Sequence, residues 1–473
     1  MEPTPLEISA APLVSFVVPC YKYAHFLAKC VNSILAQDYG CFEVLIMDNC
    51  SPDNTPEVAQ SFKDPRVRHI RNDSNLGHVR NYNKGLTLAR GKYVWVLCAD
   101  DVLRSSAVLG RFVDVMERNA NLAFVFCRAL ELREEQEGSL VSWADCGDQD
   151  CQWQDSTFFL RLIDSCCMVM SSVMIRKEFL DRVGLFPVDL PYSDDWYIWS
   201  VLAMHYGVAY FAEPMVLCRH HEESLTTQYS KEFARICLGD ELAVLWRVGC
   251  EAERGQNTNL RDACRASLIR RAKRHLMAAL WGSGHRISTA EFEEILKSRI
   301  PDGNDLQQIR SSVYNELAND VRALYHVDRA TIELPDEISV YWDFWRRAEF
   351  AGVSSLRQAC ELVLVHRLSS ELRARSSHND PNLSEHEFSE ILRSRIPDAE
   401  AASNLRALVY RDLAEQQYSN GEYTSATESY RFALEARPGH PGTLSKYLLL
   451  KMGAPGIWIR QVSHHVRKSS RRV

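Results

Sequence analysis

Two adjacent carboxylates close a short apolar run, Lys92-Tyr93-Val94-Trp95-Val96-Leu97-Cys98-Ala99-Asp100-Asp101. A run of this kind, bounded by Gly91, reads as a buried strand of a parallel sheet, and such sheets gather their ligands beyond the strand C-termini. Paired acids there suit a hard divalent cation, which in turn holds phosphates; the other use of either acid is to cap the helical segment Val102 to Met116. A second pair, Asp194-Asp195, opens a helix from Asp194 to Tyr206. Ser193 is a natural N-cap for it, and acids in a first turn favour the helix dipole. Asp48 ends the strand Phe42 to Met47 and can also close an Asx turn with Ser51. Arg219-His220-His221 follows the strand Met215 to Cys218, where an Arg and a His beside paired acids can reach phosphate or metal. Arg80 and Lys84, four apart, share a helix face that is either solvated or turned to a nucleotide.

The elements that must position these residues follow from periodicity. Leu13 to Pro19 is a β-branched strand, and Leu27 to Gln37 has helical spacing through Leu27, Val31, Ile34 and Leu35. With Phe42 to Met47 they make a βαβ unit, whose crossover is expected to be right-handed. Arg66 to Ile70 predicts another short strand, and Asn72 to Gly77 leads into a helix through Val79, Tyr82 and Leu86 that is capped near Gly91. A helix is expected over Ser105 to Glu117 and strands over Ala123 to Cys127, Met168 to Ile175 and Val208 to Ala212. The acidic, poorly patterned segment from Glu131 to Gln154 reads as a surface loop.

Composition narrows the function classes. The 473 residues predict two or three domains, and a formal charge of −7 gives no support to nucleic-acid binding. No apolar run approaches the roughly 18 residues of a membrane span, and the opening MEPTPLEISAAP lacks the pattern of a signal peptide. The expectation is a cytoplasmic protein, peripheral on the cytoplasmic face of the membrane if it meets one. Its 15 cysteines lack paired CxxC elements and fit a reduced compartment.

From Lys231 onward the period is helical. Glu291-Phe292-x-Glu294-Ile295-Leu296-Lys297-Ser298-Arg299-Ile300-Pro301-Asp302 recurs as Glu387-Phe388-x-Glu390-Ile391-Leu392-Arg393-Ser394-Arg395-Ile396-Pro397-Asp398, so a helical module is present twice. The second copy runs into Ala414, Gly421, Tyr423, Ala426, Tyr430, Ala433 and Pro438, which resembles a tetratricopeptide repeat or, more plainly, a helical hairpin. Either could bind a protein partner or a second copy of the chain. Arg460, Arg467, Lys468, Arg471 and Arg472 follow Ile457-Trp458-Ile459, a pattern for contact with anionic lipid or for a solubilising tail.

The order of the N-terminal motifs resembles an inverting family 2 glycosyltransferase of GT-A fold from Leu13 to Ser224. The resemblance rests on Val18-Pro19-Cys20-Tyr21, Gln37-Asp38-Tyr39, Glu43-Val44-Leu45 with Asp48 to Thr55, Asn75-x-Gly77, Arg80-Asn81, Gly85, Ala89-x-Gly91, Gly184-Leu185-Phe186, Asp194 to Trp199 and Arg219-x-His221-x-x-Ser224. It implies an α/β domain with a Rossmann-like mixed sheet over 12–230; the rest of the chain divides into a flexible tail of 1–11, all-α regions over 231–345 and 346–456, and a basic tail at 457–473. It also implies a nucleotide-sugar donor, a UDP-sugar being favoured, a saccharide or lipid-linked saccharide acceptor, and Mn²⁺ or Mg²⁺. Asp48 would contact the base of the donor, Pro19 and Tyr21 would shape that pocket with Arg80 nearby, and Asp100 would approach the ribose. Asp101 would bind the metal, with His221 as a further ligand. Asp194, Trp196 and Arg219 would line the diphosphate and acceptor region, and Asp195 would be the general base. The family's commoner Asp-x-Asp-Asp has Cys98 at its first position here. Two other readings stand beside it. A sugar nucleotidyltransferase would carry a glycine-rich phosphate loop that PCYKYAHF lacks, and an inactive GT-A scaffold would serve the helical modules.

Overall fold

The computed structural model describes residues 13–231, 233–281, 287, 289–324, 341–342, 345–346, 354–377, 385–396, 398–438 and 440–451. The N-terminal tail, the basic tail and Pro397 of the second repeat copy lie outside them. The described residues fall into two compact units, one running to Ala272 and taking in the stretch up to Gly303, the other holding the remaining helices.

Strands β1 (Val14–Cys20), β2 (Phe42–Asp48), β3 (Val67–Arg71) and β4 (Tyr93–Val96) are laid side by side in parallel, in the order β3-β2-β1-β4. Helices α1 (Ala24–Leu35), α2 (Thr55–Ser61) and α3 (His78–Leu88) make the crossovers. β1 and β2 are buried almost along their whole length because both faces of this part of the sheet are covered, which is why they read as continuous apolar runs. Two glycines allow close approach. A Cβ on Gly85 of α3 would stand 2.5 Å from Val17 Cγ1 and 2.9 Å from Met47 Cγ, and one on Gly91 would stand 2.7 Å from the Ser15 nitrogen.

Beyond β4 the sheet becomes mixed. The short β5 (Val102–Leu103) and α4 (Val108–Arg118) precede β6 (Leu122–Arg133). The acidic segment expected as a loop is partly strand: β6 turns at Glu134-Glu135, both at positive φ, into β7 (Gln136–Leu140), and β8 (Cys151–Trp153) pairs with β10. Its polar composition hid this, since β7 is an edge strand exposed at every residue. β9 (Val173–Arg176) is antiparallel between β4 and β6, after α5 (Thr157–Asp164) and a 3₁₀ turn at Met170–Ser172. Helices α6 (Lys177–Val183) and α7 (Asp194–His205) lead to β10 (Gly207–Arg219). The two short strands expected at 208–212 and 215–218 are this one strand, its register broken between Phe211 and Pro214.

Helices follow: α8 (Leu225–Lys231), α9 (Phe233–Arg254), α10 (Thr258–Trp281), α11 (Thr289–Arg299), α12 (Gly303–Leu324), α13 (Ser354–Ser377), α14 (Glu385–Arg395), α15 (Ala399–Ser419), α16 (Tyr423–Ala436) and α17 (Pro441–Lys451). The α/β domain followed by an all-helical region is therefore as the sequence implied. The first unit passes residue 230, since α9, α11 and most of α10 belong to it.

The repeat is also longer than its motif. α10 and α13 begin at equivalent places (354 − 258 = 96), and the same offset relates α11 to α14. Leu260, Cys264, Phe292, Leu296 and Ile300 are buried, as are Leu356, Cys360, Phe388, Leu392 and Ile396. In the hairpin of α15 and α16, Gly421 at φ +84° makes the turn and Ala414, Ala426, Tyr430 and Ala433 are buried where the repeat pattern requires small or packing residues.

Candidate active site

The site is built at the C-terminal edge of the parallel strands. β4 ends two residues before Cys98, and the chain turns with the Asp101 amide donating to the Cys98 carbonyl at 2.9 Å. One ligand atom from each of Cys98, Asp100 and Asp101 lies within 4.8 Å of the others. The two acids point differently. Asp101 is buried, accepting from the Ser171 hydroxyl and, at 2.9 Å, from the Arg219 amide. Burial, reinforced by the Asp100 charge, pushes its carboxyl up to about 8, against the pull of Ser171 and Arg219. Asp100 stays partly open and its Oδ2 meets His221 Nε2 at 3.0 Å.

β10 delivers the other wall. Arg219 is buried over the Phe26 ring at 4.4 Å, donates Nε to the Asp100 carbonyl and Nη1 to Glu135 on the β6–β7 turn. Lys29 of α1 pairs with the same Glu135. His221 packs its ring against Tyr23 and Phe26, with centroids 5.3 and 5.2 Å away. Burial, then the Asp100 charge, raises the Tyr23 phenol. His221 rather than His220 is thus the histidine at the acid pair, as the spacing favoured; His220 lies near Glu131 instead.

At the end of β2, Asp48 is fully buried and closes the Asx-type turn, accepting from the Ser51 amide at 2.8 Å. Arg71 at 2.6 Å and His69 at 3.4 Å meet its other oxygen. Neither partner is evident in the sequence, because both belong to the neighbouring strand β3. Around it Asn49, Asn72, Asn75 and Asn81 form a chain of side-chain amides that ends on the Met47 carbonyl. Pro19 is half-buried and Tyr21 is exposed beside Lys22, whose φ is 62°. Arg80 is exposed on α3 without a hydrogen bond or ion pair among the described residues.

The second acid pair opens α7. Asp195 Oδ1 accepts from the Trp196 amide at 2.6 Å, and burial pushes its carboxyl up to about 7. Asp194 is buried with Oδ2 lacking a hydrogen-bond partner among the described residues, and burial together with the Asp195 charge holds it well above the carboxylate range. Burial, then the charges of Asp101 and Asp100 and last that of Asp195, raise the Cys98 thiol. Two expectations need correction. Ser193 occupies the N-cap position but makes no side-chain capping bond. Trp196, expected beside the diphosphate and acceptor, is buried: its indole donates to the Leu162 carbonyl at 2.8 Å and lies under Arg271 at 5.1 Å, so it packs α7 onto α5 and α10.

A sheet edge with an acid at the end of β2, an acid pair after β4 and a third acid site at the start of α7 suits a nucleoside-diphosphate ligand. Residues 15–184 match the model of glycosyl transferase family 2. An uncharacterized glycosyltransferase of Haemophilus influenzae is 26% identical over 232 residues, covering 47% of this chain and 69% of that protein. The succinoglycan biosynthesis protein ExoO of Rhizobium meliloti is 40% identical over 100 residues, 21% of this chain, so that the chain spans only 29% of ExoO. Among solved structures, S. aureus TarS 1-349 in complex with UDP-GlcNAc aligns with a TM-score of 0.49 at 15% identity, covering 79% of this chain and 94% of that one. Among the described residues no helix is long and apolar enough to cross a membrane.

Proposed function

We propose that the chain transfers a sugar, with inversion, from a nucleoside-diphosphate donor to an acceptor hydroxyl, in the assembly of a surface polysaccharide or glycan. A UDP-sugar is the favoured donor, and a saccharide or lipid-linked saccharide is the acceptor. The observation that carries this reading is the match of residues 15–184 to the glycosyl transferase family 2 model, together with the contact of Asp100 and His221 beyond the end of β4.

A divalent cation, Mn²⁺ or Mg²⁺, fits Asp100 and His221 better than Asp101. Their 3.0 Å separation is that of neighbouring ligands on an octahedral ion with bonds of about 2.1 Å, whereas both oxygens of Asp101 are engaged by Ser171 and Arg219. When bound there, such an ion neutralises charge growing on the leaving diphosphate. Asp48, with Pro19 and Tyr21, holds the donor's base, and Arg80 stands free to meet its phosphates. Asp195 takes the proton of the acceptor hydroxyl as that oxygen bonds to the anomeric carbon and the nucleoside diphosphate departs from the opposite face. A carboxyl raised by burial is a stronger base than an ordinary one, which suits that task near neutral pH.

The reading is tested by calorimetric titration with UDP, GDP and dTDP, with Mn²⁺ and with EDTA, on the full chain and on Asp100→Ala and Asp101→Ala. Mn²⁺-dependent binding of UDP that Asp100→Ala abolishes is the expected result. Binding of no nucleotide would instead leave the domain as a scaffold. The basic tail is proposed to touch anionic lipid and the helical modules to take a partner; liposome cosedimentation after removal of residues 457–473 and sedimentation velocity of the full chain check these.

A further inference from the structure

Helices beyond residue 230 return to the site. In α9, Gly239 and Asp240 lie beside the loop that leads into α7. Asp240 is fully buried, and its Oδ2 accepts the Tyr192 amide at 2.9 Å, three residues before Asp195. Its other oxygen lies 3.2 Å from Arg299 Nη2 at the end of α11, an ion-pair contact without hydrogen-bond alignment. Arg299 Nη1 donates to the Asp189 carbonyl at 3.3 Å, and Arg247 of α9 holds the Asp189 carboxylate. The guanidinium passes close over residue 239, where a Cβ would stand 2.9 Å from Arg299 Nε and push it aside. On the opposite side α3 holds the same loop. His78 Nε2 bonds the Pro191 carbonyl at 2.9 Å, and the Asn83 side chain bonds both the amide and the carbonyl of Phe186.

A buried carboxylate paired with a partly exposed arginine is a poor choice for packing alone, because an apolar pair of similar volume is often as stable or more so. What the charged pair adds is a fixed register, here of the Tyr192 amide. We infer that Asp240 and Arg299 are positioning residues that fix the turn carrying Asp195, with Gly239 giving the arginine its path. Helices α9 and α11 are then part of the transfer machinery. This rests on the reading of Asp195 as the base.

Amide hydrogen exchange on the full chain, wild type against Arg299→Ala, Arg299→Lys, Asp240→Ala and Gly239→Ala, tests it alongside titration of each with UDP and Mn²⁺. The expected result is exchange at least ten-fold faster over 187–197 in the three alanine variants and within two-fold of wild type over 93–103, with UDP affinity also within two-fold. Arg299→Lys should recover most of the protection. Gly239→Ala separates the clamp from general stability, because alanine favours a helix interior. A looser 187–197 with an unlowered melting temperature supports the clamp. Unchanged exchange over 187–197 in Arg299→Ala and Gly239→Ala, or an equal rise over 93–103, would overturn it. Wild-type protein that binds no UDP with Mn²⁺ would overturn the site reading instead, and the exchange arm is independent of that outcome.

Discussion

The chain uses the same dipeptide twice and treats it in opposite ways. Asp100-Asp101, at the end of β4, is held by the Ser171 hydroxyl, the Arg219 amide and guanidinium, and His221. Asp194-Asp195, at the start of α7, has the Trp196 amide on Asp195 and nothing on Asp194 Oδ2. Hydrogen bonds to a carboxylate favour its charge, and burial without them favours its proton. At the first pair those bonds fix the geometry, although burial still pushes Asp101 up to about 8. At the second pair few bonds offset burial, and both carboxyls are raised.

The sharpest way to break this comparison is Asp195→Asn. Transfer should fall roughly 10²- to 10⁴-fold, the usual worth of a general base, with Mn²⁺-dependent UDP binding intact. In the wild type the pH profile of kcat/KM should carry a limb near pH 7, activity falling about ten-fold per unit below it, because the base must be ionised and burial has raised it to about 7. A limb near pH 4 would mean that Asp195 is ordinary.

Next in size, Asp100→Ala or His221→Ala should weaken Mn²⁺-dependent UDP binding by at least the roughly 10- to 100-fold typical of lost support around a metal. Calorimetry measures this, and an equal loss in EDTA would separate both residues from the ion.

Stability should then move in opposite directions at the two pairs. Ser171→Ala removes the donor to Asp101 and the acceptor for the Cys98 amide, and should cost about 1–3 kcal/mol in urea denaturation. Asp194→Asn should leave the fold as stable or more so, and the gain should grow with pH. The sign follows from linkage: a folded carboxyl held above the ordinary range keeps its proton while the unfolded one ionises above about pH 4, so stability declines as pH rises and the amide removes that decline. Smallest of all, Arg80→Ala should change stability by no more than about 0.5 kcal/mol, leaving any loss of UDP affinity as its only effect.

The local part of this site was legible in the sequence. A strand running into paired acids, Asp48 at the end of β2, and Arg-x-His at the end of β10 are each written in a few consecutive residues. Their partners are not, because Arg71 on Asp48, Ser171 on Asp101, Glu135 on Arg219 and Asp240 behind Tyr192 come from distant parts of the chain, and nothing in their own neighbourhoods marks them. Ser193 shows the converse, a residue in a favoured capping context that makes no cap. Trp196 failed as a site residue because adjacency along a helix does not place side chains on one face. The edge strand β7 escaped because an exposed strand has no apolar alternation to read.

The unpartnered oxygen of Asp194 also bears on how such a domain would decay. A descendant no longer selected for transfer would gain stability by losing Asp194 and shed the acids at the start of α7 early. Asp48 would outlast them, since its removal leaves the buried Ser51 amide without its acceptor.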